Sequence, residues 1–377
     1  MVESRRVIVI GGSMAGLFAG VLLARMGWDV TVHERSPGGL GGRGAGLVAQ
    51  PQVIQLLEEI GAEAVAQSGV VARERIIFDR SGEVTQRMPT PQSQISWNLL
   101  YEAFLAQIPE GKYLTGSEIE GIWQDGERAM VRFRDGRESD ADLVIGADGI
   151  GSVAREFVAP GSEPSYSGYV AFRGLLPEAD VPKESAEQLL ERFAFYNQPG
   201  GQMLGYLVAG SGGSVAAPSR RYNWVWYRPR SRAELKAALT DASGVERRFS
   251  LPRGSISAET LMDLQSEAVR LLPPVFANVV LQEPAPFVQP IFDYETPVMR
   301  RGCVALLGDA AFVVRPHTAM GVSKAAGDAM TLRDCLKRHA DLDDALQAYA
   351  DLREEEGRQI AAYGQLLGAS FGWLPKA

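Results

Sequence analysis

Apolar residues run without a break through Val7-Ile8-Val9-Ile10, give way to Gly11-Gly12-Ser13, and resume from Met14 to Ala24 before the chain reaches Gly27. A short β-branched run bounded by a turn predicts a buried parallel strand, and an apolar stretch of helical length that stops at glycine predicts a helix. "WDVTVHER" then reads as a second strand. The middle of the chain has a different texture. "ERIIFDRSGEV", "YSGYVAFRGLL", "FAFYNQPGG", "MLGYLVAG" and "YNWVWYRP" are short alternating or aromatic runs separated by Gly, Pro and Ser, the pattern of an antiparallel sheet. Between them, "MVRFRDGRESDADLVIGADGIGSVAREFV" predicts a hairpin around Asp135-Gly136, a buried strand at "DLVIGAD" and a helix after Gly151. Further on, "GCVALLGDAAFVVRPHTAMGVSKAAGDAMTLRDCL" predicts a strand, a loop and a long helix of small residues, and "LDDALQAYADLREEEGRQIAAYGQLLGASF" a last helix.

The opening strand, turn, helix and strand form the unit in which a glycine-rich turn presents backbone amides to a pyrophosphate. Two segments compete for that role. Gly11 to Gly16 has Ser13 where the fingerprint needs glycine, while Gly39-Leu40-Gly41-Gly42-Arg43-Gly44 matches letter for letter. Context favours the first, because the second follows "ERSPGG", a loop, and is soon followed by Pro51 and the helix-like "PQVIQLLEEIG". Glu34 ends the second strand about twenty positions beyond the first turn, where a carboxylate accepts hydrogen bonds from an adenosine ribose. Ser13 adds only a hydroxymethyl, so the backbone can still approach a phosphate. The expected architecture is α/β. A Rossmann-like doubly wound domain covers 1–70, 98–163 and 285–377, with a C-terminal helical segment, and an inserted antiparallel-sheet domain covers 71–97 and 164–284.

With 377 residues the chain can bury a large core and hold about two domains. The net charge of −8 argues against nucleic acid or an anionic membrane as partner. Two cysteines, Cys303 and Cys335, supply neither a disulfide framework nor metal spacing, which points to the cytoplasm, and no metal is expected. The uncharged stretch from Val7 to Ala24 behind Arg5-Arg6 imitates a signal or membrane segment, but insertion would destroy the strand-turn-helix unit, so a buried start is expected.

The ordered triplet "IGGSMAG", "IGADGIGSVAR" and "LLGDAAFVVRPHTAMG" resembles the three cofactor motifs of the single-component FAD-dependent aromatic hydroxylases, the para-hydroxybenzoate hydroxylase fold. The resemblance covers nearly the whole chain and makes the doubly wound domain an FAD domain. It implies that Gly11, Ser13, Met14, Ala15, Gly16, Glu34 and Arg35 hold the adenosine diphosphate half. Asp148 and Gly149 would lie near the pyrophosphate and the path of the nicotinamide, with Arg155 beyond. Gly308 and Asp309 would meet the ribityl chain, and the loop from Pro316 to Gly321 would face the isoalloxazine. From the residues alone, a carboxylate suits hydroxyls and repels a pyrophosphate, so Asp309 fits ribitol; caps of turns or helices are the plainer alternative for Asp148 and Asp309. Three positions depart from the family: Phe312 stands where His is frequent, Ala319 where Gly is usual, and Trp97 where many relatives carry an Arg that reaches the flavin. No second nucleotide fold is present, so NADH or NADPH is expected as a transient co-substrate.

The implied reaction is hydroxylation of an electron-rich hydroxylated aromatic or N-heteroaromatic ring by O2 through a flavin C4a-hydroperoxide, with water excluded and the substrate anion stabilised. Glycines 41, 42, 44 and 46 would give way to a mobile flavin or simply form a flexible loop. Of three histidines, His33 is expected to be structural and His339 to end a helix at the surface. His317 is the candidate for hydrogen bonding the substrate oxygen, with loop bracing as the alternative, and Tyr206 is the other catalytic candidate. Gln50, Tyr206 and Trp226 are candidates for the substrate pocket. Arg173 is a weaker one, expected on a sheet edge beside a carboxylate. A homodimer is a further expectation. The rivals are a flavin-dependent halogenase, suggested by the Trp-x-Trp of "WVWYRP", and a non-catalytic FAD-holding sensor.

Overall fold

The computed structural model describes residues 4–41, 46–48 and 50–370. Two sheets organise it. The first has six strands in the order Arg300–Arg301, Val304–Leu306, Leu143–Gly146, Arg6–Ile10, Asp29–Glu34, Tyr113–Thr115. All its pairs are parallel except the Arg300–Arg301 hairpin; Ile8 lies opposite both Val144 and Thr31. The three central strands, Val304–Leu306, Leu143–Gly146 and Arg6–Ile10, read as apolar runs because helices cover both faces of a parallel sheet. Helix Met14–Arg25 packs on it and against the long helix Gly321–Arg338. Phe18 meets Phe104 edge-on with ring centroids 4.6 Å apart. Among the described residues no helix is long and apolar enough to cross a membrane, and Val7–Leu23 lies in the buried strand, turn and helix.

The second sheet has eight strands in the order Phe312–Val313, Phe287–Glu295, Ser165–Pro177, Arg221–Pro229, Gly201–Val208, Arg192–Gln198, Glu74–Phe78, Val84–Met88. Directly opposed residues share a face, so its pairing separates two surfaces. Val170, Phe172, Trp224 and Trp226 point outward into a core with Leu264, Ala268 and Phe276 of helices Ala258–Leu271 and Pro274–Gln282. Tyr169, Ala171, Leu204, Tyr206, Val225 and Tyr227 point inward. Trp224 and Trp226 are fully buried, and truncating either costs about 3–5 kcal/mol. Gly174 is fixed by the same packing, because a Cβ there would overlap the Trp224 indole.

Two expectations change. Strand Phe287–Glu295 is paired along Ser165–Pro177, so the return to the parallel sheet comes after Glu295 and not at 285. The inserted region also carries helices as well as strands, because the sheet's outer face needs a cover. Two three-stranded sheets complete the fold: Ile119–Asp125, Arg128–Phe133 and Glu138–Ala141, and Gly46–Val48, Gln92–Ser96 and Val70–Ala72.

Candidate cofactor and substrate site

The three glycine motifs follow the carboxyl ends of three adjacent parallel strands, Arg6–Ile10, Leu143–Gly146 and Val304–Leu306, which is where open α/β sheets form their ligand crevice. They touch one another through glycine. Gly11 has φ +99°, donates its N–H to the His33 carbonyl at 2.8 Å, and has no room for a Cβ against the Ala147 carbonyl. Gly308, at φ +60°, sits so close that a Cβ would lie 2.7 Å from that of Ala15. A cleft of about 320 Å³ opens there, lined among others by Gly11, Ser13, Glu34, Arg35, Trp97, Asp148 and Gly149. A larger cleft of about 780 Å³, beside Arg5, Arg6, Asp142 and Cys303, lies at the amino ends of the same strands, the end opposite the motifs. Gly39 and Gly41 lie in the loop after Ser36; Gly42 and Gly44 fall outside the described residues.

The residues present fit a flavin dinucleotide. Helix Met14–Arg25 begins at Ser13 with no side-chain cap, so the first-turn amides and the positive end of the helix dipole are left for an anion. The Glu34 carboxylate accepts from Gly12 N at 3.0 Å and Ser36 N at 2.8 Å, which orients it and leaves lone pairs for ribose hydroxyls. Asp309 makes no side-chain hydrogen bond or ion pair among the described residues. Its surface is open to solvent although protein surrounds it on most sides, and that desolvation raises its pKa against the pull of Lys324 and Arg155. An unpartnered carboxylate of this kind suits a polyol.

Beneath it lies a charged cluster that sequence reasoning missed. Asp328 accepts from Gly308 N at 2.9 Å and from Arg353 Nε at 2.7 Å, while Lys324 Nζ donates to the Gly308 carbonyl at 2.8 Å. Burial works against the Asp328 charge, but Lys324 and Arg353 outweigh it and hold the carboxyl below its usual range. Two charged residues four apart within the small-residue helix "GVSKAAGDAM" were the available signal.

Other expected site residues serve as braces. Asp148 accepts from Ser152 Oγ, Val153 N and Ala154 N at 2.5–3.2 Å, so its carboxylate caps helix Val153–Val158, the plainer of its two roles. Arg155 is buried and donates to the carbonyls of Ile150, Gly149, Asp309 and Ala310, tying the second motif to the third instead of reaching for a ligand. Gln50 donates to the Ala319 carbonyl at 2.7 Å, which commits its amide nitrogen to the Pro316–Gly321 loop. In that loop Ala319 has φ +56°, which explains why glycine is the usual residue there. His317 Nε2 donates to the Gly364 carbonyl at 3.0 Å, and burial holds its pKa down to about 4. A neutral imidazole so bonded braces the loop against the last helix, the alternative to the oxyanion role. His33, bonded through Nδ1 to Ser117 Oγ at 2.8 Å, is structural as expected, and His339 ends helix Gly321–Arg338 at the surface.

The inner face of the antiparallel sheet approaches this loop. Tyr227 lies 6.1 Å from the His317 ring, and Tyr206 donates to the Gly46 carbonyl at 3.2 Å. Trp226 is corrected: strand alternation turns it to the outer face, and its neighbour Tyr227 faces the loop. The Trp-x-Trp motif therefore serves the outer core. For Arg173 it is the plain alternative that changes, since it lies on an interior strand and not at an edge, and makes no ion pair among the described residues.

Residues 166–293 match the FAD binding domain-like family. The 2,6-dihydroxypyridine 3-monooxygenase of Paenarthrobacter nicotinovorans is 33% identical over 93% of this chain and 88% of its own length. The chain belongs to the single-component FAD-dependent aromatic hydroxylases. A solved 2,6-dihydroxypyridine-3-hydroxylase from Arthrobacter nicotinovorans superposes with a TM-score of 0.91 at 31% identity, over 98% of this chain and 93% of the other. The 6-hydroxynicotinate 3-monooxygenase of Bordetella bronchiseptica is 25% identical over 94% of this chain and 89% of its own. As a hydroxylase of this family the protein is an FAD-dependent aromatic monooxygenase; its relatives are hydroxylating enzymes and favour neither the halogenase nor the sensor.

Proposed function

We propose that this hydroxylase acts on a small electron-rich ring bearing an ionisable hydroxyl, a hydroxypyridine or a related phenol, with NADH or NADPH and O2 as co-substrates. The observation that carries the substrate class is the aromatic inner face, where Tyr227 meets His317 of the loop after Pro316 and Phe193 packs edge-on against Tyr206. FAD, when bound, takes electrons from the nicotinamide and activates O2 so that one oxygen atom reaches the ring. The chain's residues do the rest. Ser13 to Gly16 and Glu34 hold the adenosine diphosphate end, and Asp309 accepts from the ribityl hydroxyls. The Pro316–Gly321 loop, braced by Gln50 and His317, sets the distance between flavin and sheet. Burial raises the pKa of Tyr206, and of Tyr227 still further, so both remain neutral phenols that orient a ring and exclude water without competing for its proton. The relatives named for hydroxypyridine substrates support this class. Cys303 and Cys335 are free and buried, which fits the cytoplasm.

The test is a panel of hydroxypyridines, phenols and hydroxypurines, each scored for stimulation of NADH and NADPH oxidation and for a product heavier by one oxygen. A hydroxypyridine that stimulates oxidation and gains oxygen is the expected result. Uniform failure of hydroxylated rings, with turnover of an aliphatic or amine substrate, would overturn the proposal.

A further inference from the structure

Between Tyr169 and Leu176, the heart of the Ser165–Pro177 strand, every residue is buried except Arg173. This strand lies third in an eight-stranded sheet covered on both faces, so partial exposure at its centre marks an opening above that one side chain. Arg173 lies opposite Val225 and, through it, Leu204, both on the inner face. The opening is therefore on the side that faces the Pro316–Gly321 loop. Tyr227 stands one same-face row away, opposite Ala171, and Tyr206 one row the other way, opposite Asn223 and Leu175. Successive rows on a face are about 7 Å apart, so the guanidinium stands between the two tyrosines within reach of a single ring.

Arg173 has neither an anion nor a full set of acceptors. Of the five buried arginines among the described residues, four meet carboxylates, Arg220 with Glu178, Arg315 with Asp293, Arg333 with Glu59 and Arg353 with Asp328, and the fifth, Arg155, donates to four carbonyls. Arg173 has only the neutral Gln289, to whose Oε1 its Nη1 donates at 3.0 Å, and the Phe287 ring, 5.5 Å below. Its Nε is buried without an acceptor. Asp293, on the same face, is already bonded twice by Arg315, at 2.8 and 2.6 Å. Another guanidinium without an ion pair, Arg75, lies over Phe193, and Phe193 meets Tyr206 edge-on at 4.8 Å. An unneutralised cation beside an aromatic box is costly unless a ligand supplies the charge.

We propose that Arg173 is the substrate-anion residue of this hydroxylase: its guanidinium binds the ionised oxygen of the ring and holds it in the electron-rich state that accepts oxygen. This rests on the hydroxylated-ring substrate class proposed above. It also supplies the group that His317 does not provide, because an imidazole whose Nε2–H is committed to Gly364 has no second proton to offer an oxyanion while it stays neutral.

The experiment is binding of two probes to the FAD-loaded protein without nicotinamide, followed by the change in flavin absorbance: 2,6-dihydroxypyridine, which ionises, and 2,6-dimethoxypyridine, which has no hydroxyl to lose. Arg173→Met should weaken the first by about ten- to a hundredfold, the scale of a charge-assisted hydrogen bond, and leave the second within about twofold. In turnover KM should rise more than kcat falls. Equal loss for both probes, or loss for neither, would overturn the assignment. Should Arg173→Met fail to hold FAD, Arg173→Lys replaces it, keeping the charge and losing the planar fork; discrimination between the probes must then survive in part, and its disappearance would count against the inference. If the unaltered protein binds and turns over no hydroxylated ring, it is the substrate class that fails, a result seen before any variant is made.

Discussion

Replacing Asp309 by asparagine should act in opposite directions on the empty and the loaded protein. In the empty protein the Asp309 carboxylate has no bonded partner among the described residues, and desolvation by its surroundings, offset by Lys324 and Arg155, raises its pKa. A raised carboxyl pKa means that the folded chain holds a proton the unfolded chain has already released. Stability therefore falls as pH rises from the unfolded pKa through the folded one, and the ionised group burdens the empty fold at neutral pH. Asp309→Asn removes that burden, so the apoprotein should melt higher at pH 7, and the gain should vanish in acid once the native carboxyl is protonated. For FAD the sign reverses. An amide accepts through one oxygen and presents an N–H to hydroxyls that need an acceptor, which should cost about 1–3 kcal/mol, or roughly five- to 150-fold in Kd. The assay is flavin fluorescence quenching on deflavinated protein, paired with thermal melts across pH. An unchanged Kd would remove Asp309 from the ribityl chain. A destabilised apoprotein would contradict the desolvation argument.

Gly11→Val should abolish FAD retention, because the side chain meets the Ala147 carbonyl inside the turn, whereas Gly39→Val, strained by its own φ of +66° but with Tyr101 Oη at 3.7 Å as nearest neighbour, should still copurify with flavin; the opposite ranking of flavin content would return the nucleotide to residues 39–44. Arg155→Met leaves carbonyls of both motif loops without their donor and should cost about 2–4 kcal/mol in denaturant unfolding, with little rescue by Arg155→Lys, since one ammonium cannot replace the fork; full rescue by lysine would mean that charge alone matters. His33 and His317 both titrate at about 4 instead of 6.5 because of burial, so the unfolded chain takes up protons first and stability should fall as pH drops from 6.5 toward 4. Glutamine at both positions should flatten that slope in chemical denaturation, and an unchanged slope would place the acid sensitivity elsewhere. His317→Ala should lower stability while product formed per nicotinamide consumed stays close to that of the unaltered protein; strong uncoupling to hydrogen peroxide would restore His317 to the oxyanion.

The first turn was legible because its physics is local: a β-branched run, a turn and a helix must follow in order for amides to face a phosphate, and that outweighed the letter-perfect match at 39–44. The segments after Gly146 and Leu307 were readable for the same reason. Face assignment in the antiparallel sheet was not. Strand Arg221–Pro229 is aromatic on both sides, with Trp224 and Trp226 on one and Tyr222 and Tyr227 on opposite ones, so alternation showed that Trp226 and Tyr227 part company without showing which meets the flavin loop. Arg173 was placed on an edge because strand order depends on pairings far apart in sequence, and only the sheet order put it in the interior. Asp148, Arg155, Gln50 and His317 lie in or near the motifs and are candidate ligand contacts in sequence, with capping and loop bracing as the alternatives for Asp148 and His317. Asp148 caps its own following helix, a local pattern, whereas the carbonyl partners of Gln50 and His317, and those that Arg155 finds at Asp309 and Ala310, become visible only when the loops are folded together.

The chemistry itself is tested most directly with isotopically labelled dioxygen. The FAD-loaded protein, a reduced nicotinamide and the hydroxypyridine that best stimulates its oxidation are mixed under the label, and the product is weighed by mass spectrometry beside the nicotinamide consumed. An aromatic hydroxylase built on this site must place one labelled oxygen on the ring for each nicotinamide oxidised. A product whose new oxygen comes from water, or a ring recovered unchanged while nicotinamide is consumed with every substrate of the class, would contradict it.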